Sequence, residues 1–425
     1  MSSRILIRGG CVLTLGVKTP NFAEADVLIE DGRIAEVGRG LRARDAELVD
    51  ATDSIVMPGF VDTHRHVWKS LFRNLGESSA EAEAIGRQHF QTDDVYAATL
   101  IGLLGALEAG ITTVVDWSDI QVDDGYSEAA LQAHADAGLR TVFVQTAHDW
   151  AESHGKVDSN MTALAFGAGE LARSDLERIA SDWKRARELG MRIHAHAGLE
   201  ESNRGVVSDL AGQLANDVTL VHCTNLDDRD LDAVASSGAS VSLAPSSEMA
   251  SGFGAPPIQE LIDRGIRPGL GVDNEGMAPG DLFAQMRAAI SIQHATLFDL
   301  KLAGKAGVPK LLTTRDVIRY ATSDGARVAG LGDVTGSLEP GKQADIVILR
   351  TDRPNISPVN DPIGAVVWGM DTSNIDWVFA GGRALMRNGV LEADVERARE
   401  LATTTQHRVA TAAGLVAGAA PGGRE

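Results

Sequence analysis

The start of the chain alternates apolar and polar positions in short runs broken by turn residues. ILIRGGCVLTL, ADVLIEDGRIAEVG and AELVDATDSIVMPG, within residues 4–57, read as strands of an antiparallel piece, with Asp31-Gly32 as a hairpin signal. From residue 59 the pattern changes, and short β-rich runs alternate with segments of helical period. The strand candidates are FVDTHRH (60–66), ITTVVDW (111–117), RTVFVQTAH (140–148) and MTALAFG (161–167). MRIHAHAG (191–198), VTLVHC (218–223), ASVSLAP (239–245) and RPGLGVDN (267–274) complete a set of eight. Gly110, Gly138, Gly238 and Gly265 each stop a helix just before the next strand. Ser174 and Glu177 form an S-x-x-E capping signal ahead of LERIASDWKRAREL, which Gly190 closes.

Eight strands joined by helices across residues 59–335 match a parallel (β/α)8 barrel, a TIM-like α/β fold. Strand-and-turn character returns in SLEPGKQADIVILR and IDWVFAGGRALMRNG. The two flanking β pieces are each too short to stand alone, so they are expected to pack together as one composite β-sandwich. The expected organisation is residues 1–58 and 336–395 as the two parts of the sandwich, 59–335 as the barrel, and 396–425 as a C-terminal helix and tail.

An apolar fraction of 44% and a charged fraction of 23% exclude a disordered or fibrous chain. Charge changes the picture more: 39 Lys and Arg against 59 Asp and Glu give a net charge of −20. A surface that acidic repels phosphate backbones and anionic lipid, which argues against nucleic-acid and membrane partners. No run reaches the ~18 apolar residues of a membrane span, and the N-terminus lacks a leader pattern. The two cysteines, Cys11 and Cys223, cannot build a disulfide scaffold and fit a reducing compartment. The expectation is a cytoplasmic protein acting on a small molecule.

The candidate chemistry lies at strand ends, where this barrel places its active sites. His64 and His66 close the first barrel strand and, two apart, share one face of it. His196 ends the fifth strand, His222 the sixth and Asp273 the eighth. Four histidines and an aspartate converging on one barrel mouth suit a borderline divalent ion such as zinc or iron. The competing account is a set of unconnected core histidines. His194 shares the face of His196 but lies deeper, so His196 is preferred as the ligand. The H-x-E and P-C-x-x-C zinc motif of other deaminases is absent. Cys223 reads as a small core residue, and His89, His134, His294 and His407 as packing or surface residues.

PGFVDTHRH, the His196 position, VHC and GVDN resemble those of the amidohydrolase superfamily, and ATSDGARVAGLGDVTGSLEPGKQADIVIL resembles its closing signature. The likeness covers residues 4–390 and is nearest to the mononuclear group holding cytosine deaminase, adenosylhomocysteine-type deaminases and the triazine hydrolases. The resemblance implies one divalent ion per chain, zinc before iron, held by His64, His66, His196 and Asp273. Binuclear members carry a bridging lysine at the end of strand four, and MTALAFGAG offers none. It also implies that Asp273 takes a proton from the nucleophilic water, that His222 orients it or stabilises developing charge, and that the chain forms a homo-oligomer. The implied reaction is hydrolysis of a non-peptide C–N bond, with deamination of a nitrogen heterocycle first.

One position departs from the pattern. Deaminases of this group carry a glutamate three residues after the strand-five histidine, where this chain has Leu199, and Glu200 follows one position late. On a strand, that shift turns a side chain to the other face. Either a loop brings Glu200 back as the proton shuttle, or the substrate needs none, or the chemistry is not hydrolytic. Leu199 thus keeps open hydrolysis of a cyclic amide or another leaving group, and a lyase or isomerase. A metal-binding barrel without turnover is a further class, against which the complete ligand set argues. Loops after the strands offer Trp68, Lys69, Trp117, His148, Trp150, Ser246, Ser247, Glu248, Asn274 and Glu275 to the pocket. The tryptophans suit either a flat ring or plain rim packing.

Overall fold

The computed structural model describes residues 4–73, 79–146 and 160–414. Five strands lead the chain: β1 (Arg4–Val12), β2 (Phe22–Glu30), β3 (Arg33–Gly38), β4 (Glu47–Asp50) and β5 (Ser54–Pro58). The next eight are β6 (Phe60–Arg65), β7 (Ile111–Ser118), β8 (Arg140–Gln145), β9 (Thr162–Glu170), β10 (Arg192–Ala197), β11 (Val218–His222), β12 (Ser240–Leu243) and β13 (Gly269–Leu270). They pair in parallel in sequence order, and among the described residues helices connect most of them. β6, β7, β8 and β11 are buried along their whole length, as strands covered on both faces must be.

The eighth strand is only two residues long, yet the barrel closes just beyond it. The Asp273 amide donates to His64 O at 2.9 Å, and the His66 amide donates to Asp273 O at 2.8 Å. Gly271 permits this approach, because a Cβ there would stand 2.7–2.8 Å from the backbone O and N of His64. Closure therefore brings the chain of Asp273 directly against the H-x-H segment.

Four more strands follow: β14 (Ile346–Arg350), β15 (Ile375–Ala380), β16 (Arg383–Arg387) and β17 (Val390–Leu391). They join the leading strands in one nine-stranded sheet, in the order β17-β16-β15-β14-β5-β1-β2-β3, with β4 on β1. The junction is β14 against β5, antiparallel from Ile346↔Pro58 to Arg350↔Ser54. Ile5, Val27, Val56, Ile346 and Phe379 belong to its own apolar cluster. Buried Arg140 of β8 ties this sheet to the barrel through Asp345, with Nε–Oδ2 at 2.7 Å and Nη2–Oδ1 at 3.1 Å. Asp31 and Gly32 turn the β2–β3 hairpin with φ of 48° and 79°.

Two local expectations change. Ser174 does not cap the following helix: it sits in a 3-10 turn (Arg173–Asp175), its hydroxyl bonds Asp175, and Asp175 is the N-cap of helix Leu176–Glu188. The fourth barrel strand runs past Gly167 to Glu170 through a bulge: His194 pairs with Gly167 and His196 with Glu170, so Ala168 and Gly169, the latter at φ of 70°, stand two against one and re-aim the strand end. That extension carries a carboxylate to the barrel mouth.

Candidate metal and substrate site

The strand ends bring five side chains together. Nε2 of His196 lies 3.2 Å from Nε2 of His64, and Oδ1 of Asp273 lies 3.5 Å from Nε2 of both His64 and His66. Ligand atoms of His64, His66 and His196, and of His64, His222 and Asp273, form two sets whose members all lie within 4.8 Å of one another. A tetrahedral ion with bonds of ~2.1 Å spaces its donors ~3.4 Å apart, so these separations fit. Protonation states fit too. Burial depresses His64 to about 4 and His196 well below the ordinary histidine value, leaving neutral imidazoles with free lone pairs. Burial alone would raise Asp273, but its bond to His64 and the charges of His222, His64 and His66 outweigh that and hold it ionised. Neutral imidazole and ionised carboxylate are the forms that bind a divalent ion.

A surrounding layer fixes these groups. Ser247 Oγ donates to Asp273 Oδ2 at 2.5 Å, leaving Oδ1 for the histidine side. Nδ1 of His222 meets Glu248 Oε1 at 3.1 Å, and the same oxygen accepts from the Ala244 amide at 2.8 Å. Burial would lower His222, but the bond to Glu248 and the charges of Asp273, Glu248 and Glu170 raise it. Asp119 Oδ1 stands 3.1 Å from His66 Nδ1, takes the indole N–H of Trp68 at 2.6 Å, and has Lys69 Nζ 3.6 Å from its Oδ2. Carboxylates behind ligating histidines fix ring orientation and tautomer. His222, Cys223 and Asp273 adopt φ of 73°, 59° and 65°, sparsely populated for residues other than glycine. Such strain gathers where the fold fixes a functional side chain.

Beside this cluster opens a cavity of about 700 Å³, a size that accepts a small-molecule substrate. His66, His196, His222 and Asp273 line it, together with Lys69, Trp117, Asp119, Glu170, Leu199 and Phe253 among others. The Trp117 ring lies 4.1 Å from that of His196, tilted by 33°. A flat, partly apolar wall thus faces a polar, metal-binding floor.

The amidohydrolase family pattern matches residues 55–385. The chain belongs to the amidohydrolase family. A 5′-deoxyadenosine deaminase of Methanothermobacter thermautotrophicus is 30% identical to it, over 91% of this chain and 94% of that protein. An adenosine deaminase from Xanthomonas campestris, solved with bound zinc, superposes with a TM-score of 0.82 at 19% identity, covering 96% of this chain and 99% of its own. A mutant of the atrazine chlorohydrolase of Arthrobacter aurescens, complexed with zinc and atraton, gives 0.83 at 22% identity over 95% and 100%. This amidohydrolase is a hydrolase of carbon–nitrogen bonds other than peptide bonds.

Within the amidohydrolase, the substrate contacts read from the sequence divide. Trp117 lines the cavity. Trp68, in the 3-10 turn Val67–Phe72, is instead packed 6.0 Å from Phe72 and 5.6 Å from Phe90, where it supports Asp119. Ser246 opens helix Pro245–Ala250 with its amide on Gln285, and Asn274 is buried with its carbonyl oxygen on the Gly276 amide. None of these three lines the cavity. His148 and Trp150 lie outside the described residues. His194 is buried below His196 and belongs to neither donor set. Leu199 faces the cavity, whereas Glu200 is exposed and bonds Ser202 Oγ at 3.0 Å. Three carboxylates at the cavity escaped the sequence reading, the first of them Glu83 of helix Ser79–His89. Asp119 follows β7 in a loop, and Glu170 ends β9 three residues past the strand legible in the sequence.

Proposed function

We propose that this amidohydrolase deaminates a nitrogen heterocycle, adenine nucleosides first, using a water activated at a zinc ion. The observation that carries the reading is the convergence of three imidazoles, His64 and His66 buried and His196 half-buried, and one carboxylate beside a cavity walled by Trp117. His64, His66, His196 and Asp273 would hold the ion. A divalent ion held there would lower the pKa of a bound water from its bulk value towards about 7 and so supply a nucleophile at neutral pH. Asp273, with Oδ2 fixed by Ser247, would accept the water's proton and later pass it to the departing amine. His222, with Nδ1 on Glu248, would face the negative oxygen that develops on the attacked carbon. The relatives' names direct the choice of substrate: the 30%-identical protein is a 5′-deoxyadenosine deaminase.

Elemental analysis of the purified protein, with an ammonia-release assay over 5′-deoxyadenosine, adenosine, purines, pyrimidines, triazines and pterins, tests this. About one zinc per chain and ammonia from an adenine nucleoside is the expected result. A protein that holds no metal after purification in metal-replete buffer overturns the site. Leu199, in the cavity where the group's usual glutamate is expected, favours a second reading in which another leaving group or a cyclic amide is hydrolysed. Metal binding with turnover but no ammonia selects that second reading.

A further inference from the structure

We propose that Glu170, at the end of the fourth barrel strand, is the acid that contacts the ring nitrogen of the substrate in this amidohydrolase, in place of the glutamate displaced by Leu199. The inference rests on the deaminase reading. Deamination of an aromatic ring needs a proton donor at the ring nitrogen, because electron density moves onto that nitrogen as the adjacent carbon is attacked. Asp273 takes the water's proton in this reading, so a second acid is needed. Leu199 has no proton to give, and Glu200 is exposed and bonded to Ser202.

Glu170 has the position and the free atom. It lines the cavity with His196, His222 and Leu199. Its Oε1 accepts from the Leu199 amide at 3.2 Å and from Asn203 Nδ2 at 3.3 Å, so the carboxyl stands beside the backbone of the residue that replaces the usual glutamate. Its Oε2 is buried with no hydrogen-bond partner among the described residues. A buried carboxyl oxygen without a partner is costly, and a ligand that completes the bond offsets that cost. Glu170 also belongs to neither histidine–aspartate donor set, so its oxygen is not committed to the metal.

The steps balance. Water adds through oxygen to the ring carbon bearing the amine, and one of its protons goes to Asp273. The C=N π pair moves to the ring nitrogen, which takes the Glu170 proton. The carbon–amine bond then breaks, the amine leaves as ammonia with the proton from Asp273, and the new hydroxyl returns its proton to Glu170 as the carbonyl forms.

The test separates this role from a structural one. In Glu170→Gln the amide oxygen still accepts from Leu199 and Asn203, so the 199–203 loop keeps its anchor while the acid is lost. With zinc-loaded protein and 5′-deoxyadenosine, together with the wider heterocycle panel, we expect kcat for ammonia release to fall at least about 100-fold. Metal content and melting temperature should match the parent, and Glu200→Gln should stay within about threefold of it. A Glu170→Gln protein within about threefold of the parent kcat overturns the role and leaves deamination standing. A zinc-loaded parent that releases no ammonia from any member of the panel overturns the deaminase reading and this inference with it.

Discussion

Asp273 shows how a single residue is shaped by the work proposed for it. It holds φ of 65°, its two oxygens face different partners, and its backbone closes the barrel. Asparagine tolerates that backbone conformation and keeps the side-chain shape. Asp273→Asn is therefore expected to leave the far-ultraviolet circular dichroism unchanged while ammonia release falls at least about 100-fold. Turnover near the parent rate would remove Asp273 from the mechanism. The residues of this cluster were readable because barrel geometry names strand ends, and the two-residue spacing of His64 and His66 fixes their common face. Trp68 was not readable: a 3-10 turn right after the H-x-H folds it into the Phe72 and Phe90 packing, and nothing in VWKS announces that turn. Glu170 was hidden because the β-rich run legible in the sequence ends at Gly167, whereas the strand continues through Gly169 to Glu170.

At the level of elements, the seam between β6 and the short β13 is where the site is held together. Gly271 lies against His64, and a methyl group there meets backbone rather than a movable side chain. Gly271→Ala should force the seam apart, with loss of bound metal and a destabilisation above about 2 kcal/mol; elemental analysis and thermal melting measure both. The seam could not be read from RPGLGVDN, whose continuous apolar run predicts a longer strand than the two residues that pair as one. A peripheral contact gives a pH-dependent contrast. Arg187, near the end of helix Leu176–Glu188, makes a two-pronged contact with Asp217 just before β11, at 2.7 and 3.1 Å. The Arg187 hydrogen bond leads the causes that lower the Asp217 pKa. A lowered carboxylate pKa stabilises the fold above the ordinary value of about 3.9 and ceases to do so as pH falls through the folded value. Asp217→Asn should thus cost about 1 kcal/mol at pH 7. Melting curves of variant and parent should converge as pH drops below about 4, and a gap that persists there would place the effect elsewhere than in the charge.

Across the whole molecule, the proposed ligands come from β6 and the residue just after it, from β10 and from the segment after β13, so one ion would join chain positions from His64 to Asp273 around the barrel mouth. An ion that binds the folded state and not the unfolded chain stabilises it by RT ln(1 + [L]/Kd), about 2.7 kcal/mol at 100 times Kd. The same joining reaches only one side of the nine-stranded sheet: Ile55, Met57, Val347 and Leu349 share the barrel core, whereas Ile5, Val27, Val56, Ile346 and Phe379 form a separate cluster. Chelation should therefore lower the melting temperature by a few degrees, and stoichiometric zinc should restore it. Asp273→Asn should shrink the zinc-dependent shift, because it loses the anionic member of the donor set. If the chelated and zinc-loaded proteins melt at the same temperature, the cluster does not bind the ion in the folded state. The four proposed ligands would then have to be explained by packing alone, against the 3.2–3.5 Å convergence of their donor atoms.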